Sequence, residues 1–211
     1  MRSKENVFVA GKENLRPNEI PSIAVYGETV PEAWETAVLA TNEFGCRIPT
    51  EYDQEMDPDS KDASVMMTIT EPLKEPRIHL AMPAGIEELA IYTHEVVDGV
   101  HDQWVKEGGW SYSYHDRLKN WPGIGSWEKT TEVAEFDLPY VNQLNGLMEK
   151  LAETPHSRRA QSITWYPPVD QGHHEPPCLQ RIWCRVVNTG EGHLLEMNDH
   201  FRSNDAFKAA F

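Results

Sequence analysis

Cysteine is scarce in this chain. Only Cys46, Cys178 and Cys184 occur among 211 residues, and three thiols fit no disulfide framework. That points to a reducing, cytoplasmic compartment. Positive charge is also in short supply. Nineteen Lys and Arg face 34 Asp and Glu, a formal net charge of −15, which argues against nucleic acid or an anionic membrane as partners of the whole surface. No apolar run approaches a membrane span, and Met1 to Gly11 holds no signal-peptide apolar core. There is no internal repeat. His94, His101, His115, His156, His173 and His174 match no compact ligand set, and His94-Glu95 lacks a second histidine at zincin spacing, so no metal is expected.

A hydrophobic fraction of 39% suits a globular protein, and the length suits one domain with a real core. Residues 1–20 are polar and read as poorly ordered or as a sheet edge. Ser22 to Gly27 reads as a strand. Thr29 can cap a helix with Pro31 in its first turn, and Ala33, Ala37, Ala40 and Phe44 keep helical spacing until Gly45 stops it. Asp53 to Asp62 reads as a surface loop. Ser64 to Ile69 and Pro76 to Leu80 read as strands, and Ile86 to Val97 as a helix ending before Gly99. The aromatic, glycine-rich stretch 104–127 reads as irregular and able to line a cleft. Pro139 to Leu151 carries an apolar stripe and reads as the clearest helix. Leu179 to Val187 and His193 to Phe201 form a hairpin around Asn188-Thr189-Gly190-Glu191-Gly192. Helices interleaved with strands give a mixed α/β domain.

Several of the arginines bunch around one cysteine. Ser157-Arg158-Arg159 precedes a strand that reaches Trp165. Pro176-Pro177-Cys178 follows, and Arg202-Ser203-Asn204-Asp205 closes the hairpin. Arginine's planar fork holds a phosphate through paired hydrogen bonds, and a cation beside a thiol favours the thiolate. On residue type alone, Cys178 could equally be a small buried hydrophobe, and Arg158 and Arg159 a solvated pair. Cys46 and Cys184 keep that plain reading. Upstream lie Gly109-Trp110-Ser111-Tyr112-Ser113-Tyr114, Thr93-His94-Glu95 and the leading helix Val30-Pro31-Glu32-Ala33-Trp34-Glu35.

These segments, in this order, resemble the thymidylate synthase family. The leading helix is more like its shorter archaeal-type members and the pyrimidine nucleotide hydroxymethylases. The resemblance implies an α/β (α+β) fold, a mixed sheet packed with helices that dimerises through the sheet. It implies Cys178 as nucleophile, Glu95 as general acid/base and Tyr114 as the active-site tyrosine. It implies Arg202 and Ser203 on the substrate phosphate, joined across a homodimer by Arg158 and Arg159 in shared active sites, with Arg47 as a further phosphate ligand. Trp104, Asp102 and Asp205 are implied beside the folate. For Trp104 the plain alternative is core packing, and for Asp205 a helix cap. The implied activity is methyl transfer to dUMP, giving dTMP, with 5,10-methylenetetrahydrofolate as carbon donor and no metal. A pyrimidine nucleotide (dCMP, dUMP or CMP) hydroxymethylase and a non-catalytic nucleotide-binding relative are the alternatives.

Two positions depart from the family pattern. Leu179 stands where a histidine often follows the cysteine, and Phe201 where a glutamine often precedes Arg-Ser. The family's base-reading asparagine, later His-x-Tyr segment and closing residues would fall beyond Phe211. Residues 1–211 therefore read as one domain of this type lacking the family's C-terminal part.

Overall fold

The computed structural model of the chain describes residues 6–51, 53–82, 84–123 and 140–210. It is a mixed α+β structure whose residues group into two compact units, 1–86 with 205–211, and 87–204.

The first unit holds β1 (Val7–Val9), β2 (Ser22–Gly27), α1 (Val30–Phe44), β3 (Cys46–Ile48), β4 (Ser60–Asp62) and β5 (Ser64–Ile69). β2 is central, antiparallel to β1 and parallel to β5. Alternation along β2 sends Ile23 and Val25 to one face, where they pack with Val7, Val9, Ala37, Ala40 and Phe44. Phe8, Tyr26 and Met66 point to the other face and stay exposed. Thr29 caps α1 by accepting the Glu32 N–H, and Pro31 sits in the first turn. The Trp34 indole donates to the Ala206 carbonyl at 2.9 Å, tying down the 205–210 segment.

Gly45 ends α1 as expected, but not through a left-handed turn. Its φ is −61° and its backbone is extended. Glycine is needed there because a Cβ would run into the Thr41 carbonyl. The stretch from Pro76 to Leu80 is loop rather than strand. Pro76 has no N–H to donate, and the Arg77 and His79 N–H groups are taken by Glu75 and by Met82 Sδ. The end of the acidic stretch, Ser60–Asp62, pairs with β3 and is not loop.

The second unit runs α2 (Ile86–Asp98), α3 (Asp102–Lys106), α4 (Tyr114–Lys119), α5 (Gln143–Glu153), β6 (Gln161–Ile163), α6 (Pro167–Asp170), β7 (Leu179–Asn188) and β8 (His193–Phe201). The hairpin β7–β8 forms as its turn residues predict, with β6 antiparallel on the other side of β7. Two short helices, α3 and α4, occupy the stretch expected to be irregular. Ser113 caps α4 by accepting the Asp116 N–H at 3.0 Å, a cap hidden among the aromatics. α5 starts later than expected, at its Asn142 cap. Tyr140 and Val141 lie outside it, and Val141 bridges Trp121 instead. Pro139 lies outside the described residues. The Gln143 side-chain amide donates to the Ile163 carbonyl and accepts its N–H, docking α5 on the free edge of β6.

Gly27 joins β2 to the start of α1. A Cβ on it would lie 2.5 Å from the Ala33 backbone nitrogen and 2.7 Å from its Cα. Gly27→Ala should therefore cost about 1–3 kcal/mol, the range for overpacking. Urea unfolding checks this. A midpoint equal to wild type would mean the helix start moves freely away from the strand.

Candidate functional site

Cys178 sits half-buried, as a free thiol, just ahead of β7. Its position is set from two sides. The Tyr114 hydroxyl accepts the backbone N–H of Cys178 and that of Leu179, each at 3.2 Å. Tyr114 can reach them because it opens α4, directly after the Ser113 cap. On the other side, the Arg202 N–H donates to the Cys178 carbonyl at 2.9 Å. The Arg202 guanidinium donates to the carbonyls of Pro177 (3.1 Å) and Pro176 (2.8 Å) and lies 4.0 Å from the Cys178 Sγ. Phe201 pairs with Leu179 across the hairpin, which delivers Arg202 to the start of the opposing strand. A thiol, a cation and a phenol thus meet at one strand end.

Tyrosines line the same place. The Tyr112 and Tyr114 rings meet edge-on at 5.6 Å. Burial, then the neighbouring Tyr114, then Cys178 push the Tyr112 phenol far above its ordinary value, with Arg117 opposing. Tyr92, three residues before Glu95 on α2, is pushed up to about 12. Burial is the main cause, followed by the charges of Tyr114, Glu95 and Cys178. Glu95 and Cys178 therefore act on one phenol. The Glu95 carboxylate also pairs with His101 Nδ1 at 3.1 Å, both groups half-buried. His101 stacks on Trp104 at 3.9 Å and 9° and meets Trp110 edge-on.

The remaining expected residues divide. Trp104 is 38% exposed, with His101 against its ring, so it is not a core tryptophan. Both Asp102 oxygens are engaged, by the Ser113 hydroxyl at 2.5 Å and by His115 Nδ1 at 2.6 Å. Gly99, with φ +69°, makes room for the last pair, since a Cβ there would strike both side chains. Arg158 and Arg159 are exposed just before β6. The Arg158 carbonyl accepts from the Trp183 indole at 3.0 Å, and no ion pair of either guanidinium is found among the described residues. Ser203 is exposed directly after Arg202. Two expected residues lie in the first unit. Arg47, on β3, donates to the Asp59 carbonyl at 3.4 Å. Asp205 accepts the N–H groups of Phe207 (2.9 Å) and Lys208 (2.8 Å), the capping role weighed for it above.

Cys184 has a different setting. It is buried in β7, and burial, aided by Asp199, pushes its thiol up. That makes it an inert packing residue. Among the described residues, no group of three His, Cys, Asp or Glu could hold a metal ion, and no helix is long and apolar enough to cross a membrane.

The sequence matches relatives that carry one name. Over 181 residues it is 28% identical to a Methanosarcina barkeri protein curated as "Putative thymidylate synthase", covering 86% of this chain and 70% of that one. It is similar in sequence to further archaeal proteins of that name. A Methanosarcina mazei protein of the same name is 30% identical over 175 residues, with 83% of this chain and 64% of its own length covered. A Methanocaldococcus jannaschii protein, also so named, is 28% identical over 199 residues, covering 90% and 72%. No family model matches the sequence. Thymidylate synthase A from Bacillus subtilis overlaps 84% of this chain and 66% of its own, at TM-score 0.49 and 17% identity.

Tyr92, Tyr112, His101 and Arg117 were not foreseen as parts of the site. Helical spacing could have flagged Tyr92, which shares a face with Glu95, and Arg117, which follows Tyr114 by one turn. A raised folded-state pKa favours the neutral phenol. Its contribution to stability is complete below the unfolded value near 10 and is lost as pH rises towards about 12. Tyr92→Phe should delete one late phase from the alkaline phenolate absorbance titration and lessen the loss of stability over that window. An unchanged late phase would place Tyr92 in solvent.

Proposed function

We propose that this chain is a thymidylate synthase, converting dUMP to dTMP with 5,10-methylenetetrahydrofolate. The observation that carries the reading is Cys178 held by Tyr114 with the Arg202 guanidinium 4.0 Å from its sulfur, in a homologue of proteins bearing that name.

The pyrimidine C5 is a poor nucleophile. Attack of the Cys178 thiolate on C6 forms a C–S bond and moves the ring electrons to C5 and the carbonyl oxygen, so covalent catalysis divides one hard step into easier ones. C5 then attacks the one-carbon unit of the folate. A base acting through water near Tyr114 removes the C5 proton. Loss of tetrahydrofolate leaves an exocyclic methylene, and Glu95 shuttles protons at the ring carbonyl and the folate nitrogen. Hydride from tetrahydrofolate completes the methyl group, giving dihydrofolate and expelling the thiolate. Water in place of hydride would give a hydroxymethyl group and leave tetrahydrofolate unoxidised.

Arg202 and Ser203 take the phosphate, with the partner subunit's Arg158 and the partner subunit's Arg159 completing the grip in a homodimer. Their exposure and the absence of an ion pair for either among the described residues suit that task. Arg47 is a further phosphate ligand in this reading. The apolar face of Phe8, Tyr26 and Met66, turned away from α1, suits the sheet-to-sheet contact. Trp104 offers the pterin ring a stacking surface, and Asp102 and Asp205 are the carboxylates assigned to the folate in this reading.

Incubating the protein with dUMP and methylenetetrahydrofolate tests the reaction. Equal amounts of dTMP and dihydrofolate are expected. Hydroxymethyl-dUMP with no dihydrofolate would make it a hydroxymethylase, and nucleotide binding without any product a non-catalytic relative. Mixing Cys178→Ser with Arg159→Ala subunits tests the shared sites. Activity should reappear in the mixture, and a mixture as inactive as its components would refute a site built across two subunits.

A further inference from the structure

We propose that Arg117, which no expected role covers, is a positioning residue for Cys178; this rests on the assignment of Cys178 as the nucleophile.

Arg117 is 1% exposed, on α4 one turn beyond Tyr114. Its guanidinium makes a two-pronged pair with Asp170 at 3.1 and 2.8 Å, and Asp170 also accepts the Tyr166 N–H at 2.6 Å. Nη1 donates further to the Thr164 carbonyl at 3.2 Å. Thr164 is fully buried, and its hydroxyl donates to the Leu179 carbonyl. The guanidinium also lies 5.8 Å from the centre of the Tyr112 ring, and that ring meets the Tyr114 ring edge-on at 5.6 Å. Tyr114 accepts the N–H of Cys178 and of Leu179.

These contacts close a circuit. From Arg117 one arm runs through Tyr112 and Tyr114 to the Cys178 and Leu179 N–H groups. The other runs through Thr164 to the Leu179 carbonyl. Both polar ends of Leu179 are fixed by arms that meet at one guanidinium, so the placement of Leu179, and of Cys178 joined to it, depends on it. Stability alone does not call for this arrangement. A buried ion pair is often no more stabilising than apolar residues of the same volume. Here the Arg117 Nε is also buried with no hydrogen-bond partner, an uncompensated cost. What the fork supplies is direction: a planar group that serves Asp170, Thr164 and an aromatic ring at once, which lysine cannot do.

The test compares Arg117→Lys and Tyr112→Leu with wild type in two measurements. The first is the rate of covalent adduct formation with 5-fluoro-dUMP and methylenetetrahydrofolate, beside the dissociation constant for dUMP. Arg117→Lys should slow the adduct about 100-fold, the cost of a misplaced reacting group, with dUMP affinity unchanged. The second is amide hydrogen exchange. The Cys178 and Leu179 amides should exchange at least about tenfold faster, while those of the β7–β8 ladder keep their wild-type rates. Exchange that rises equally over the whole hairpin, or not at all, overturns the proposal. If Arg117→Lys does not fold, Tyr112→Leu decides: it removes the ring and so cuts one arm only, and unchanged Cys178 and Leu179 amides in it overturn the proposal. A wild-type protein that forms no adduct would defeat the assigned reaction, and the exchange rates would then judge the positioning alone.

Discussion

The phenol oxygen of Tyr114 accepts two successive backbone N–H groups, those of Cys178 and Leu179. A strand end has such donors to spare, and leaving them buried without partners would be costly. Satisfying them with a side chain from a different element joins α4 to the start of β7 at the residue that carries the thiol. The position of α4 then decides where the thiol sits, and α4 is set by its own Ser113 cap and by the buried Arg117–Asp170 pair. Little of this is apolar packing. Asp116, Arg117, Thr164 and Asp170 are among the most buried side chains of the second unit. Polar networks of this kind hold a geometry firmly when satisfied and are costly when not.

In a chain so rich in carboxylates, its cations have distinct duties. Arg117 is buried and neutralised by Asp170, so its charge is spent inside the fold. Arg202 is exposed and, among the described residues, is bound to carbonyls and lies beside the thiol, so its charge remains available to an anion. Arg158 and Arg159 are also exposed. An acidic surface with a few uncommitted arginines repels polyanions and still admits a small phosphate.

Much of the fold was legible because local signals agreed. β2, α1, α2 and the β7–β8 hairpin lie where alternation, the Thr29 cap, Gly99 and the Asn188–Gly192 turn place them. The reading failed where local and long-range demands part. Pro76 to Leu80 has strand-like residues, but its Arg77 and His79 N–H groups are satisfied within the loop. α3 and α4 are too short for periodicity to reveal. At the site, Cys178, Tyr114 and Arg202 could be named from their motifs and are brought together. The direction of help between them could not be read. Tyr114 has the look of a reacting group, and its visible work is to hold backbone. Asp170, far from α4 in sequence, carries no local mark that it would pair with Arg117, and Asp102 gives no sign that Ser113 and His115 will take its oxygens.

The account turns on which thiol reacts. Cys178 lies beside a cation at a strand end, and Cys184 is buried with its thiol pushed up. The direct measurement is peptide mapping by mass spectrometry after incubation with 5-fluoro-dUMP and methylenetetrahydrofolate, where the fluorine at C5 halts the reaction with nucleotide and folate both attached. The account predicts one modified peptide carrying the ternary adduct on Cys178, lost in Cys178→Ser and retained in Cys184→Ser. An adduct on Cys46 or Cys184 would contradict it.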